Sequence, residues 1–204
     1  SSLFHRYLKR YPSGKRFGEV RSMCAWSDYL AGRYADAIAL CGDGDSDDLS
    51  YVRAACAYAS GDTASAKRLF AVYLENHPSG RNRANAELPL SRIGFDEAEK
   101  AGDSARAVEC AKRAFAISKA PGDALRLAWA YEKSGMVAQA IAEYDAIAKR
   151  HPKSAEAAEA LYRRAMTDLR AERWAAADMA LPTVWEGYGP VMQTIWRVGA
   201  SCLL

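Results

Sequence analysis

Apolar side chains recur along this chain three and four residues apart, and three stretches repeat the same pattern without gaps. Phe4, Tyr7 and Leu8 precede Pro12; Phe70, Tyr73 and Leu74 precede Pro78; Tyr144, Ile147 and Ala148 precede Pro152. Each has an aromatic eight residues before the proline and a small polar residue soon after it: Ser13, Ser79 and Ser154. The i, i+3, i+4 spacing marks one buried face of a helix. The proline marks its end, because it has no N–H to continue the ladder and biases the preceding residue away from helical geometry. These prolines lie 66 and 74 residues apart, about twice a unit of 33 to 37.

A second signal supplies the intervening units. Short turns recur at Ala31-Gly32-Arg33-Tyr34, Ser60-Gly61-Asp62, Ala101-Gly102-Asp103, Ser134-Gly135-Met136 and Ala171-Glu172-Arg173-Trp174. Each is followed at a fixed offset by an alanine: Ala37, Ala66, Ala107, Ala140 and Ala177. Glycine fits the left-handed position that ends a helix, and Asp62 and Asp103 suit the cap of the next. A small side chain at those alanines lets two antiparallel helices approach closely. Each unit is therefore expected to be a helix of about 12 to 15 residues, a tight turn and a second helix.

Composition agrees. Alanine fills 41 of the 204 positions, whereas Val, Ile and Thr together fill 18. Alanine loses no side-chain entropy in a helix and β-branched residues do, so the balance favours helix over sheet. Half the residues are hydrophobic and 26% are charged, which excludes a disordered chain, and no apolar run approaches the ~20 residues of a membrane span. No signal peptide and no initiator Met are present, which places any targeting segment outside this sequence.

With these residues in view, the chain resembles the tetratricopeptide-repeat family, whose units of about 34 residues run W-x2-L-G-x2-Y, then A-x3-F, then P. The unit ending at Pro152 matches best, through Leu127, Ala128, Tyr131, Ala140 and Tyr144; the unit ending at Pro78 matches through Ala54, Ala66 and Phe70. Three looser units complete the phase. The first has Ala25, Tyr34 and Ala37 but an irregular loop in place of the proline. The third has Ala107, a displaced Gly94, and a Pro89 expected to open its first helix late. The fifth has Ala165, Trp174 and Ala177, with Pro182 ending its second helix early. The resemblance implies an all-α, right-handed superhelical solenoid of about five helix pairs with a half-unit at each end. Its expected divisions are 1–12, 13–48, 49–80, 81–120, 121–153, 154–188 and 189–204. Residues 196–202 parallel 51–57, and the apolar end from Ala200 to Leu204 suggests a fragment of a longer chain or an end covered by a partner.

No catalytic motif survives inspection: there is no phosphate-binding glycine loop, no H-E-x-x-H and no G-x-S-x-G. No enzyme activity, cofactor or metal is expected. Cys24, Cys41, Cys56, Cys110 and Cys202 are odd in number, with no C-x-x-C pair and no His at ligand spacing. That excludes a zinc finger or a disulfide framework. His77 and His151 share one repeat position before a proline, which suits a helix end. Asp43, Asp45 and Asp47 have the spacing of a calcium loop, but Asp48 and Ala54 stand where an EF-hand needs Gly and Glu. The last acids are instead expected to cap a helix beginning near Leu49. The net charge of +3 is a weak bias. Its densest cluster (His5, Arg6, Lys9, Arg10, Lys15, Arg16, Arg21) reads as a solvated helix face, opposite Phe4, Tyr7, Leu8 and Tyr11.

What remains is a surface. In tetratricopeptide folds the first helix of each unit lines a concave face where peptides bind. The resemblance places Trp26, Tyr29, Tyr51, Tyr58, Trp129, Tyr162 and Met166 there. Members that hold a chaperone's terminal carboxylate use Lys, Asn and Arg on this face. The equivalent positions here are mostly Ser, Tyr, Leu, Trp and Ala, which argues against that ligand. The expected function is a non-enzymatic scaffold for a protein or peptide. Proline-serine helix ends followed by Ala-rich helices are similar to bacterial envelope members, the outer-membrane-assembly lipoproteins and Tol–Pal-associated periplasmic proteins. Five cysteines fit an oxidising periplasm poorly, which leaves the cytoplasm open. The alternatives are a spacer or oligomerisation segment of a larger protein, and a nucleic-acid binder whose affinity falls steeply with salt.

Overall fold

A computed structural model of the chain describes residues 2–42 and 46–170. The described residues are all-α. Ten helices follow in order: α1 (Ser2–Arg10), α2 (Phe17–Leu30), α3 (Tyr34–Cys41), α4 (Asp47–Ala59), α5 (Thr63–Asn76), α6 (Arg83–Ala101), α7 (Ser104–Ser118), α8 (Pro121–Lys133), α9 (Val137–Arg150) and α10 (Ala155–Arg170). None of them is long and apolar enough to cross a membrane. The expectations on Trp174, Ala177, Pro182 and residues 189–204 lie outside the described residues, as do those on Asp43 and Asp45.

The helix pairs form for the reasons their spacing gives. Residues Ala66, Phe70 and Tyr73 of α5 are buried, as are Ala140, Tyr144 and Ile147 of α9, the same i, i+4, i+7 face in both. The offset alanines Ala37, Ala66, Ala107 and Ala140 are all 0% exposed. A larger side chain there would hold the two helices of a pair apart. Gly61 (φ 85) and Gly135 (φ 74) take the left-handed backbone that turns one helix into the next. Asp62 caps α5 by accepting the Ser65 N–H (3.0 Å), and Asp103 caps α7 by accepting that of Arg106 (3.0 Å). Those cap bonds to Ser65 hold the Asp62 carboxyl below its usual pKa. His77 and His151 are the C-caps of α5 and α9, each followed by its proline.

The chain divides into two units, residues 1–94 and 95–204. In the first, α2 packs on α1, α3 and α4, and α4 packs on α3 and α5. Its core is built from Val52, Ala54, Cys56, Phe70, Tyr73, Ala86 and Ile93 among others. In the second, α8 packs on α7, α9 and α10, and α9 on α10. Phe95, Ala98, Val108 and Leu127 share one cluster there; Ala124, Ala128, Ala140, Tyr144, Ile147 and Ala160 share another.

Three local expectations are corrected. Pro89 does not open a late helix, because α6 begins at Arg83 and carries both Pro89 and Gly94 in its interior. The core-facing sequence Ala86, Leu90, Ile93 runs through the proline at helical spacing. Burying that face outweighs the lost backbone hydrogen bond. The helix after the acidic loop starts at Asp47 and is capped by Ser46, whose Oγ accepts the Leu49 N–H (3.2 Å). Asp47 and Asp48 instead occupy the first turn. Finally, His5 leaves the solvated basic face of α1 and turns toward α2.

Candidate functional site

The first unit gathers four of the seven aromatic and methionine positions expected on the concave face. Trp26 of α2 stacks on Tyr51 of α4, with centroids 5.4 Å apart and planes 24° apart. Tyr29 meets the edge of Trp26 at 5.9 Å. Tyr51 also touches Phe70 and Tyr73, and Tyr58 meets Phe70 at 6.3 Å. Tyr51 is only 8% exposed, so it is a floor of the core rather than an open contact. Burial, with a lesser contribution from Tyr29, pushes its phenol up to about 12. Trp26, Tyr29 and Tyr58 are half-buried against that core. In the second unit Trp129 lies under the Arg163 guanidinium, 4.8 Å from its ring centroid, and Tyr162 and Met166 are half-buried on α10.

A cleft of about 1090 Å³ opens in the first unit between α1, α2 and the start of α4. Of the expected residues only Trp26 lines it. Its apolar lining also includes Phe4, Met23 and Leu30, which are 36%, 50% and 78% exposed, and the buried Leu49. Periodicity places Phe4 on the apolar face of α1, yet it is 36% exposed, and Met23 and Leu30 stand on the outward side of α2. The opposite wall is charged. Asp48 pairs with Arg81 (2.5 Å), and Asp47 accepts the Arg81 backbone N–H (3.1 Å) and the Tyr73 hydroxyl. Arg21, at the edge, donates to the carbonyls of Leu40 (2.5 Å) and Cys41 (2.7 Å) at the end of α3. That arrangement complements the negative end of the α3 dipole.

A second constellation lies where α1 meets α2. Asp28 is 0% exposed, and one carboxylate oxygen accepts from Arg33 (2.6 and 3.2 Å). Its other oxygen faces His5 Nε2 at 3.1 Å. Cys24 Sγ, also 0% exposed, lies 3.3 Å and 3.7 Å from the two ring nitrogens of His5 and 3.9 Å from Asp28. Burial, then the Asp28 carboxylate, push the Cys24 thiol up, which is the opposite of what a nucleophilic cysteine needs. Spacing rules on the sequence did not reach this group because its members are 19 and 23 residues apart on two helices. Two further carboxylates are 0% exposed, those of Asp123 and Asp168. Asp123 accepts from Ser118 Oγ (2.6 Å) and Arg126 (2.8 Å). A recurrence available in the sequence pointed to buried acids: Asp28 and Arg33 share their spacing with Asp168 and Arg173 at the corresponding turn.

Comparison with known proteins agrees with the helix-pair geometry. Residues 49–80 and 124–154 match the tetratricopeptide repeat family, and these segments hold the pairs α4–α5 and α8–α9. Among solved structures, YrrB, described as a tetratricopeptide-repeat protein with an unusual peptide-binding site, superposes with a TM-score of 0.70. The identity is 15%, over 96% of this chain and 97% of that one. MamA AMB-1 gives 0.64 at 16% identity, covering 86% and 95%. MamA from Desulfovibrio magneticus RS-1 gives 0.61 at 13% identity, covering 85% and 95%. At such identities the likeness is one of fold. No curated protein matches the chain. The all-α helix-pair fold is thereby supported, and the two matched segments carry the repeat-family likeness.

Proposed function

We propose that the chain is a non-enzymatic scaffold for a protein or peptide, and that in the first unit the ligand lies in the cleft beside Trp26. The cleft carries the reading. It exposes Phe4, Met23 and Leu30 around a half-buried indole and faces them with the charged groups of Asp47, Asp48 and Arg81. An apolar anchor wall with a polar rim is the usual anatomy of a peptide contact. Tyr51 supports the indole from below and leaves the recognition itself to Trp26 and its neighbours. The peptide-binding site named for YrrB lends the reading fold-level support. A bacterial-envelope setting rests on the proline-serine helix ends and the Ala-rich helices after them, and the matched proteins add nothing to it.

The test is selection of a displayed random-peptide library on the intact chain, followed by affinity measurement on the enriched peptides. Trp26→Ala and Met23→Ser are expected to weaken binding about tenfold or more with the melting temperature nearly unchanged. Enriched peptides that bind both variants as tightly as the original chain would remove the cleft from the proposal.

A further inference from the structure

The equivalent positions of successive helix junctions show how unusual the α1–α2 constellation is. His5, Cys24 and Asp28 correspond by spacing to Ala71, Leu90 and Gly94 at the next proline-marked junction, and to Asp145, Arg164 and Asp168 at the one after. The repeat therefore does not require polar groups at these three positions. Where α9 meets α10, Arg164 lies 2.8 Å from Asp145. Where α1 meets α2 the positions of Asp145 and Arg164 hold His5 and Cys24, two metal-ligand side chains, beside a carboxylate.

We propose that His5, Cys24 and Asp28 form a site for a divalent metal ion of the zinc type. The separations fit. With bonds of about 2.3 Å to sulfur and about 2.0–2.2 Å to nitrogen and oxygen, ligand atoms around a tetrahedral ion lie roughly 3.3–3.6 Å apart. Here His5 Nε2 to Asp28 Oδ2 is 3.1 Å, Cys24 Sγ to His5 Nε2 is 3.7 Å, and Cys24 Sγ to Asp28 Oδ2 is 3.9 Å. The sulfur also lies 3.3 Å from Nδ1, so the half-exposed His5 ring must turn to direct Nε2 at an ion shared with Cys24. Imidazole, thiolate and carboxylate are the three ligand types zinc takes. Arg33 grips the other Asp28 oxygen and so fixes the carboxylate, a role that outer partners of metal ligands commonly fill. The His5 side chain is 42% exposed, which gives the ion a way in and leaves the fourth position to water. On binding, the Cys24 thiol releases one proton to solvent. The resulting thiolate and the Asp28 carboxylate then match the two charges of the ion, and no electron is transferred.

Titration of the full chain with Co2+ and then Zn2+ tests this. One equivalent of Co2+ should produce a thiolate-to-cobalt charge-transfer band with the intense visible bands of a four-coordinate ion, and Zn2+ should abolish both and raise the melting temperature. Cys24→Ser should remove the charge-transfer band. His5→Gln, a change at the half-exposed rim, should keep the helicity and weaken the affinity about tenfold or more. If Cys24→Ser does not fold, His5→Gln decides. Absence of the band in the unaltered chain overturns the proposal. So does a band of full strength in Cys24→Ser, or undiminished affinity in His5→Gln, since the ion would then sit on other cysteines or histidines.

Discussion

Replacing Ala140 by Trp probes a fully buried helix contact of the second unit. Ala140 is 0% exposed, and its cluster mates Ala128, Tyr144, Ile147 and Ala160 are 0% exposed as well, with Ala124 at 1%. Three of these neighbours are alanines, so there is little side chain that could move aside. A tryptophan brings roughly nine extra heavy atoms into this contact. Adding even a few methylene groups to a packed core costs about 1–3 kcal/mol, and the indole should reach or exceed the top of that range. With a urea slope of about 1–3 kcal/mol per molar, a loss of about 3 kcal/mol lowers the unfolding midpoint by about 1 M or more. Far-UV circular dichroism against urea measures it. Ala138→Trp, an exposed site two residues away, is the control and should stay within about 0.5 kcal/mol. An unchanged midpoint for Ala140→Trp, or equal damage from both, would refute the helix phase on which the fold is read.

Two further outcomes follow from the first unit. Burial raises Cys41 to about 11 and Cys56 to about 12 from 9.0, and Tyr51 to about 12 from 10.0. The unfolded chain then loses these protons first, so stability is full below about pH 9 and declines as pH rises toward 12. Each group adds about 1.4 kcal/mol of loss per pH unit above its unfolded value. Urea midpoints at about pH 8 and pH 11 should differ accordingly, and equal midpoints would contradict the burial of these groups. Gly80→Ala should cost about 1–3 kcal/mol, read as a lower melting temperature. Its new Cβ would meet the Tyr73 hydroxyl at 2.5 Å and Asp47 at 3.0 Å, and so part the buried tyrosine from its acceptor. A melting temperature at or above that of the unaltered chain would show that this bond contributes nothing.

The helices were legible in the sequence because their punctuation is local. A glycine that must take left-handed backbone, a proline that must stop a helix and an alanine that must sit between two helices each announce themselves where they stand. Legibility failed where a distant surface decided the outcome. Pro89 signals a boundary by itself, yet Ala86 and Ile93 bury one face across it and the helix continues. The acidic loop suggested aspartate caps, and Ser46 took that position. His5 reads as one more base in a cationic cluster until the stacking of α1 on α2 brings it to Cys24 and Asp28. Of the expected surface residues, Trp26 lines the cleft and Tyr51 lies beneath it. Hydrophobic spacing alone gives both the same rank. The exposed Met23 and Leu30 belong to no buried pattern, so periodicity passes over them.

The three positions shared by the helix junctions have a consequence for how such arrays diversify. The corresponding positions hold the apolar residues Ala71, Leu90 and Gly94, an acid–guanidinium pair at 145 and 164 beside the acid at 168, and metal-ligand side chains at 5, 24 and 28. Chemistry in this architecture is thus addressed by position within the repeat. Three point changes in one slot would exchange grease for charge, or charge for ligands, while leaving the path of the main chain as it was.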